Sequence, residues 1–125
     1  LSNPAVIHFI GIGYETMDKE ILSWENEAEQ LRAEKNYAAA AEKYVAILTK
    51  DPNFVRAHLA LAVVYYNLQD FEKSVAHGEK AVELEPQDSF NHVALSVTYQ
   101  RAFEGTRDPA YIHRAEAAKA RAQMR

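Results

Sequence analysis

The side chains best suited to chemistry in this sequence are five histidines and a short glycine pair. Imidazoles bind metals, shuttle protons and act as general bases. His58 and His92 stand 34 residues apart, a spacing that would place them at equivalent points of adjacent structural units. No cysteine accompanies them, which excludes a thiol nucleophile, a disulfide framework, a zinc ribbon and an iron–sulfur site. Two imidazoles sharing a zinc must each bring a nitrogen within about 2 Å of it, whereas packed helices lie about 8–10 Å apart. No carboxylate accompanies either histidine in the pattern. The expectation is a packed, hydrogen-bonded imidazole at His58 and His92, surface or partly buried ones at His77 and His113, and no metal, cofactor or catalytic residue.

Gly11 and Gly13 close the apolar run from Ala5 to Ile12. A strand leading into G-x-G is how a nucleotide-binding loop begins, and the run IHFIGIG resembles the opening of the muramate ligases. That chemistry requires a third glycine and a helix to cradle phosphate. Thr16 stands where the glycine belongs, and no second strand or ribose-binding acid follows. The match covers only Ile7 to Gly13 and is read as coincidence, with a nucleotide-binding fragment kept as an alternative. Residues 1–16 do not share the pattern of residues 17–125, and Met17 could be a natural start. Upstream sequence, an expression remnant and a genuine extension stay open for them. They lack the basic start and cleavage pattern of a secretory signal.

The elements that must position any site emerge from an internal repeat. Asp51-Pro52 and Glu85-Pro86 lie 34 residues apart, and the segments before them align, Ala28 with Ala62, Tyr37 with Phe71, Leu48 with Val82. Each unit has the apolar spacing of two helices, and Arg56 to Leu68 is apolar on almost every face, as a helix covered on both sides is. A third unit aligns His92 with His58 and Tyr99 with Tyr65, then slips at Phe103 to Arg107. Asp108-Pro109 reads as an N-cap with proline in the first turn. The spacing predicts helices over about 18–35, 37–50, 54–68, 71–84, 88–103 and 109–124, with an insertion near 103–109 that leaves a loop at Glu104–Arg107. The 125 residues suffice for one domain. No apolar run approaches the roughly 20 residues of a spanning helix.

This period resembles the tetratricopeptide repeat. Trp24, Ala28, Tyr37, Ala40, Tyr44 and Pro52 match its pattern in the first unit. Leu61, Ala62, Tyr65, Phe71, Ala81 and Pro86 match it in the second, where His58, Ser74 and Gly78 replace a Trp, an Ala and an aromatic. Leu95, Ser96, Tyr99, Ala115 and Ala122 match in the third. The resemblance implies an all-α, right-handed stack of helix–turn–helix units over residues 17–125 (about 21–54, 55–88 and 89–125).

It further implies a non-enzymatic, cytoplasmic protein-binding scaffold or adaptor whose first helices line a concave groove. Leu22, Glu25, Asn26 and Glu29 would supply the first unit's share, and Arg56, Leu59, Ala60, Val63, Tyr66 and Asn67 the second's. The third would add Phe90, Val93, Ala94, Val97, Gln100 and Arg101. Glu25 and Glu29 stand where some relatives hold a partner's terminal carboxylate with cations, and acids there would repel one. The expected partner is therefore a protein or peptide with apolar anchors, held also by Arg56, Asn67, Gln100 and Arg101. The contact residues expected to matter are Arg56, Leu59, Val63, Tyr66, Asn67, Phe90, Val93, Val97, Gln100 and Arg101. The alternative within protein binding is a chaperone for a secreted or assembling client.

Fourteen basic against 18 acidic residues give a net charge of −4, without the basic excess of a nucleic-acid binder. Residues 15–52 sum to −4 and residues 100–125 to +3. An acidic start and a basic end permit head-to-tail self-association.

Overall fold

The structure is a computed structural model and describes residues 18–124. The apolar run with its two glycines lies outside the described residues. Six helices succeed one another: α1 (Lys19–Ala33), α2 (Tyr37–Lys50), α3 (Val55–Asn67), α4 (Phe71–Leu84), α5 (Ser89–Thr106) and α6 (Ala110–Ala122). Among the described residues there is no strand, and no helix is long and apolar enough to cross a membrane.

Local chemistry accounts for where four of these helices start, α1, α4, α5 and α6. Asp18 accepts hydrogen bonds from the Glu20 and Ile21 amides at 2.8 and 3.2 Å. Asp70 accepts from Lys73 at 3.2 Å and Asp88 from Phe90 at 3.0 Å. Asp108 accepts from Ala110 at 3.0 Å, with Pro109 in the first turn, where a missing N–H costs nothing. Each carboxylate satisfies an orphan amide and faces the positive end of a helix dipole.

The turn inside a hairpin is built the same way twice. Lys35 and Gln69 adopt left-handed φ of 63° and 62°. The next amides, Asn36 and Asp70, return to the carbonyls of Leu31 and Tyr65, both at 2.8 Å. This is the closure by which a left-handed residue satisfies the last carbonyls of a helix. The repeat seen in the sequence is therefore a repeat of backbone geometry.

Successive helices pack against each other, and α3 also touches α5, so the first helices of the second and third hairpins lie side by side. One core gathers Ala28, Ala40, Tyr44, Ile47, Leu61 and Val64, and a second gathers Val75, Leu95, Tyr99, Ala115 and Ala118. Small residues mark the close approaches, as the alignment implied. Ala28 and Ala62 are buried outright. The buried Ser74 hydroxyl donates to the Ala62 carbonyl at 2.6 Å, and that of Ser96 to Ala115 at 3.0 Å. Serine in a small slot thus adds a hydrogen bond between helices without adding bulk.

The histidine slots are packed and bonded. His58 Nε2–H donates to the Pro52 carbonyl and His92 Nε2–H to that of Pro86, both at 2.8 Å. Each imidazole ties its hairpin to the turn that precedes it.

One expectation is corrected. Glu104 to Thr106 form no loop, because α5 runs through Thr106, almost a turn beyond the expected end. Arg107 closes it at φ 64°, its amide on the Phe103 carbonyl at 2.7 Å. Gly105 lies on the Phe71 ring of α4, where a Cβ would stand 2.1 Å from Cζ. The glycine serves a close approach between helices and does not break α5.

Alanine at 105 would gain roughly 1 kcal/mol of helix propensity but must displace the ring, and overpacking costs typically 1–3 kcal/mol. Gly105→Ala is expected to lower unfolding stability by about 1 kcal/mol, and to raise it in a Phe71→Ala background. Urea denaturation of the four proteins tests this; the same sign in both backgrounds would contradict it.

Candidate functional site

The inner sides of α1, α3 and α5 enclose a cavity of about 490 Å³. Arg56, Leu59 and Val63 come to it from α3, and Phe90, Val93, Val97 and Arg101 from α5. Their spacing explains the convergence, since residues three, four and seven apart share one helix face. Phe90, Val93 and Val97 remain 62%, 50% and 37% exposed, an unburied apolar stripe along α5. Ala60 and Ala94 line the walls, while the buried Ala62, Gly78 and Thr98 form the floor.

Tyr66 and Asn67 line an adjoining recess of about 310 Å³ with Phe71 and Gly105, and Arg101 borders both hollows. The Asn67 side chain is turned onto its own helix, donating to the Val63 carbonyl at 3.1 Å. Gln100 is exposed and lines neither hollow. The expected residues of α3 and α5 therefore gather along one face, Gln100 excepted, whereas of the α1 residues Glu25 and Glu29 reach the cavity, Leu22 lines neither hollow and Asn26 lines a separate one with Leu31 and Lys43.

The charges are mostly matched in pairs. Arg56 donates through Nε and Nη2 to the Glu25 carboxylate at 2.8 and 2.7 Å, and its guanidinium covers the Phe54 ring at 4.8 Å. Glu29 accepts the Tyr44 hydroxyl and faces Arg32 at 3.7 Å. Burial, followed by the Glu29 hydrogen bond, pushes the Tyr44 hydroxyl up to about 12. The acids expected to repel a carboxylate are thus already engaged. Arg101 differs: its guanidinium lies 4.8 Å above the Tyr66 ring, and among the described residues no carboxylate pairs with it.

The Glu25–Arg56 pair was missed in the sequence, although a signal existed. Their separation of 31 residues is one repeat less three, and three residues is close to one helical turn. Two such positions meet across neighbouring first helices. A test for opposite charges at that offset would have found the pair.

A second polar cluster lies at the α3–α4 contact. His58 Nδ1 and His77 Nδ1 are 3.0 Å apart, and the His77 ring stacks on Tyr65 at 5.6 Å. His58 already uses Nε2–H on Pro52, so with both rings neutral its Nδ1 accepts from His77 Nδ1–H. Burial first, then the His58 and Lys73 charges, pushes the His77 imidazole down to about 4. Among the described residues no group of three or more potential ligands gathers to hold a metal ion.

Residues 31–95 of the chain match the family model of the tetratricopeptide repeat. No curated protein sequence matches the chain.

The histidine pair makes stability depend on pH. His77 takes up a proton near pH 6.5 in the unfolded chain and only near pH 4 in the folded one. Between those values the unfolded state binds more protons, so stability that is complete above pH 6.5 is lost as pH falls towards 4. We expect the native chain to lose about 1 kcal/mol more between pH 7 and pH 5 than a His77→Gln variant, allowing for screening at a half-buried site. Urea titrations at the two pH values check this, and parallel losses would contradict it.

Proposed function

This chain belongs to the tetratricopeptide-repeat family, and from that premise we propose that it is a cytoplasmic adaptor whose concave face binds a segment of a partner protein. Repeats of this family are generally protein–protein interaction modules and typically non-catalytic. The observation that carries the finer reading is the unburied row of Phe90, Val93 and Val97 along the groove. Single exposed apolar residues are ordinary, whereas a contiguous row rimmed by polar groups marks a contact surface. Leu59 and Val63 face it across the cavity from α3.

Two neighbours give this surface a polar end. Arg101 and Tyr66 are stacked, and Tyr66 in turn meets the Phe71 ring at 6.3 Å. Tyrosine and arginine supply many of the residues that dominate binding energies. Stacking orders both side chains before a partner arrives, which reduces the entropy lost on binding. The absence of cysteine fits a reducing compartment.

A Tyr66→Ala, Arg101→Glu double variant is expected to retain the native helical circular dichroism and bind the partner at least about tenfold more weakly, as loss of a hot-spot pair implies. Capture from a source lysate with the full chain supplies the partner, and titration with the purified partner measures the loss. Unchanged affinity in a folded double variant would contradict the assignment. A captured client that is insoluble alone and soluble in the complex would shift the reading from adaptor to chaperone.

A further inference from the structure

Repeat symmetry exposes a difference between the first two hairpins. Positions 44 and 78 are 34 residues apart and share a slot. The first holds Tyr44, only 1% exposed, its hydroxyl bonded to Glu29. The second holds Gly78, and the residue 34 positions after Glu29 is Val63. Gly78 and Val63 both line the groove cavity, together with Ala62 and Ala94. The place of an internal aromatic ring in the first hairpin therefore corresponds to the floor of an open hollow in the second.

A Cβ at Gly78 would meet Leu95 Cδ1 at 3.2 Å and Thr98 Cγ2 at 3.5 Å, so the helices close at the base. Beyond that point the cavity of about 490 Å³ opens beside the exposed stripe of α5. The Thr98 hydroxyl is occupied, donating to the Ala94 carbonyl at 3.0 Å. The surface facing the hollow is mainly methyl and methylene, and Glu25, Glu29, Arg32, Arg56 and Arg101 stand around it.

We propose that this hollow receives one phenylalanine side chain from an acidic peptide segment of the partner, and that Gly78 and Val63 set this specificity. The proposal rests on the groove-binding reading above. An aromatic ring suits a slot that holds one in the neighbouring hairpin. Phenylalanine is preferred to tyrosine because Val63 stands at the repeat-equivalent position of the acceptor that Tyr44 uses, while the Glu25 and Glu29 carboxylates of the hollow are already engaged by Arg56, Tyr44 and Arg32, and a buried hydroxyl without a partner is unfavourable. The acidic character comes from charge: Arg56 and Arg32 face Glu25 and Glu29, whereas Arg101 pairs with no carboxylate among the described residues. A peptide fits better than a small molecule, because the stripe from Phe90 to Val97 spans roughly 10 Å of helix and would stay exposed beside a ligand confined to the hollow.

The test is selection of a displayed random dodecapeptide library on the full chain, followed by fluorescence-anisotropy titration of the enriched peptides. Enriched sequences should carry phenylalanine beside Asp or Glu. Replacing that phenylalanine with alanine or tyrosine should weaken binding at least about tenfold. A Val63→Glu variant, which restores the missing acceptor, should recover the tyrosine peptide relative to the phenylalanine one. Ala94→Phe, which fills the hollow from its wall without altering the tight contact at Gly78, should abolish binding. Peptides lacking phenylalanine, or equal binding to native chain and folded Ala94→Phe, would overturn the proposal. If those peptides still lose affinity on Val93→Asp, the groove reading stands and only the anchor falls. No enrichment, or indifference to both variants, would overturn both.

Discussion

A helical hairpin carries more apolar surface than its two helices can bury against each other, and this constraint organises the protein. α3 shows it most directly, with Ala57, Ala60, Leu61, Ala62 and Val64 all buried. Those residues face different directions around one helix, so α3 needs neighbours on several sides. The left-handed turns at Lys35 and Gln69 close the first two hairpins with the same backbone bonds, and the bonds from His58 and His92 to Pro52 and Pro86 seat the second and third on the preceding turn. Stacking then places α3 beside α5 with one common inner face.

The groove is a consequence of that arrangement combined with departures from strict repetition. Apolar side chains on the α3–α4 and α5–α6 contacts are consumed by the core, whereas Phe90, Val93 and Val97 project from the other side of α5. Their solvent exposure brings the fold no burial energy, and interaction with a partner gives it a physical rationale. The charges support the same division. Glu25 with Arg56, and Glu29 with Tyr44 and Arg32, are satisfied internally. Arg101 rests on an aromatic face and keeps hydrogen-bonding capacity for an outside acceptor.

Much of this was legible from residue spacing. The proline pairs and small-residue slots marked the hairpins, and Asp108-Pro109 marked the start of the last helix, because both are local or strictly periodic signals. The packed state of His58 and His92 was also readable, since one slot recurring in two units argues for a structural role. Contacts that depend on rotation between helices were not. His58 meeting His77 requires the α3–α4 crossing, and no sequence offset specifies where two imidazoles will touch. The stretch from Glu104 to Thr106 misled for a similar reason: a slip in the repeat register suggests a loop, whereas the helix continues and sets Gly105 against the Phe71 ring. Gln100 is one residue from Arg101, yet a rotation of about 100° along the helix turns it away from the cavity.

The central claim is that the face shared by α3 and α5 receives the partner. Methyl cross-saturation NMR of the full chain, with protons retained only in the bound partner, reports contact directly. The account predicts strongest transfer at the methyls of Leu59, Val63, Val93 and Val97, with little at Val45 and Ile112, which are also exposed but line none of the groove. Transfer concentrated at Val45 or Ile112, with the groove methyls silent, would contradict it.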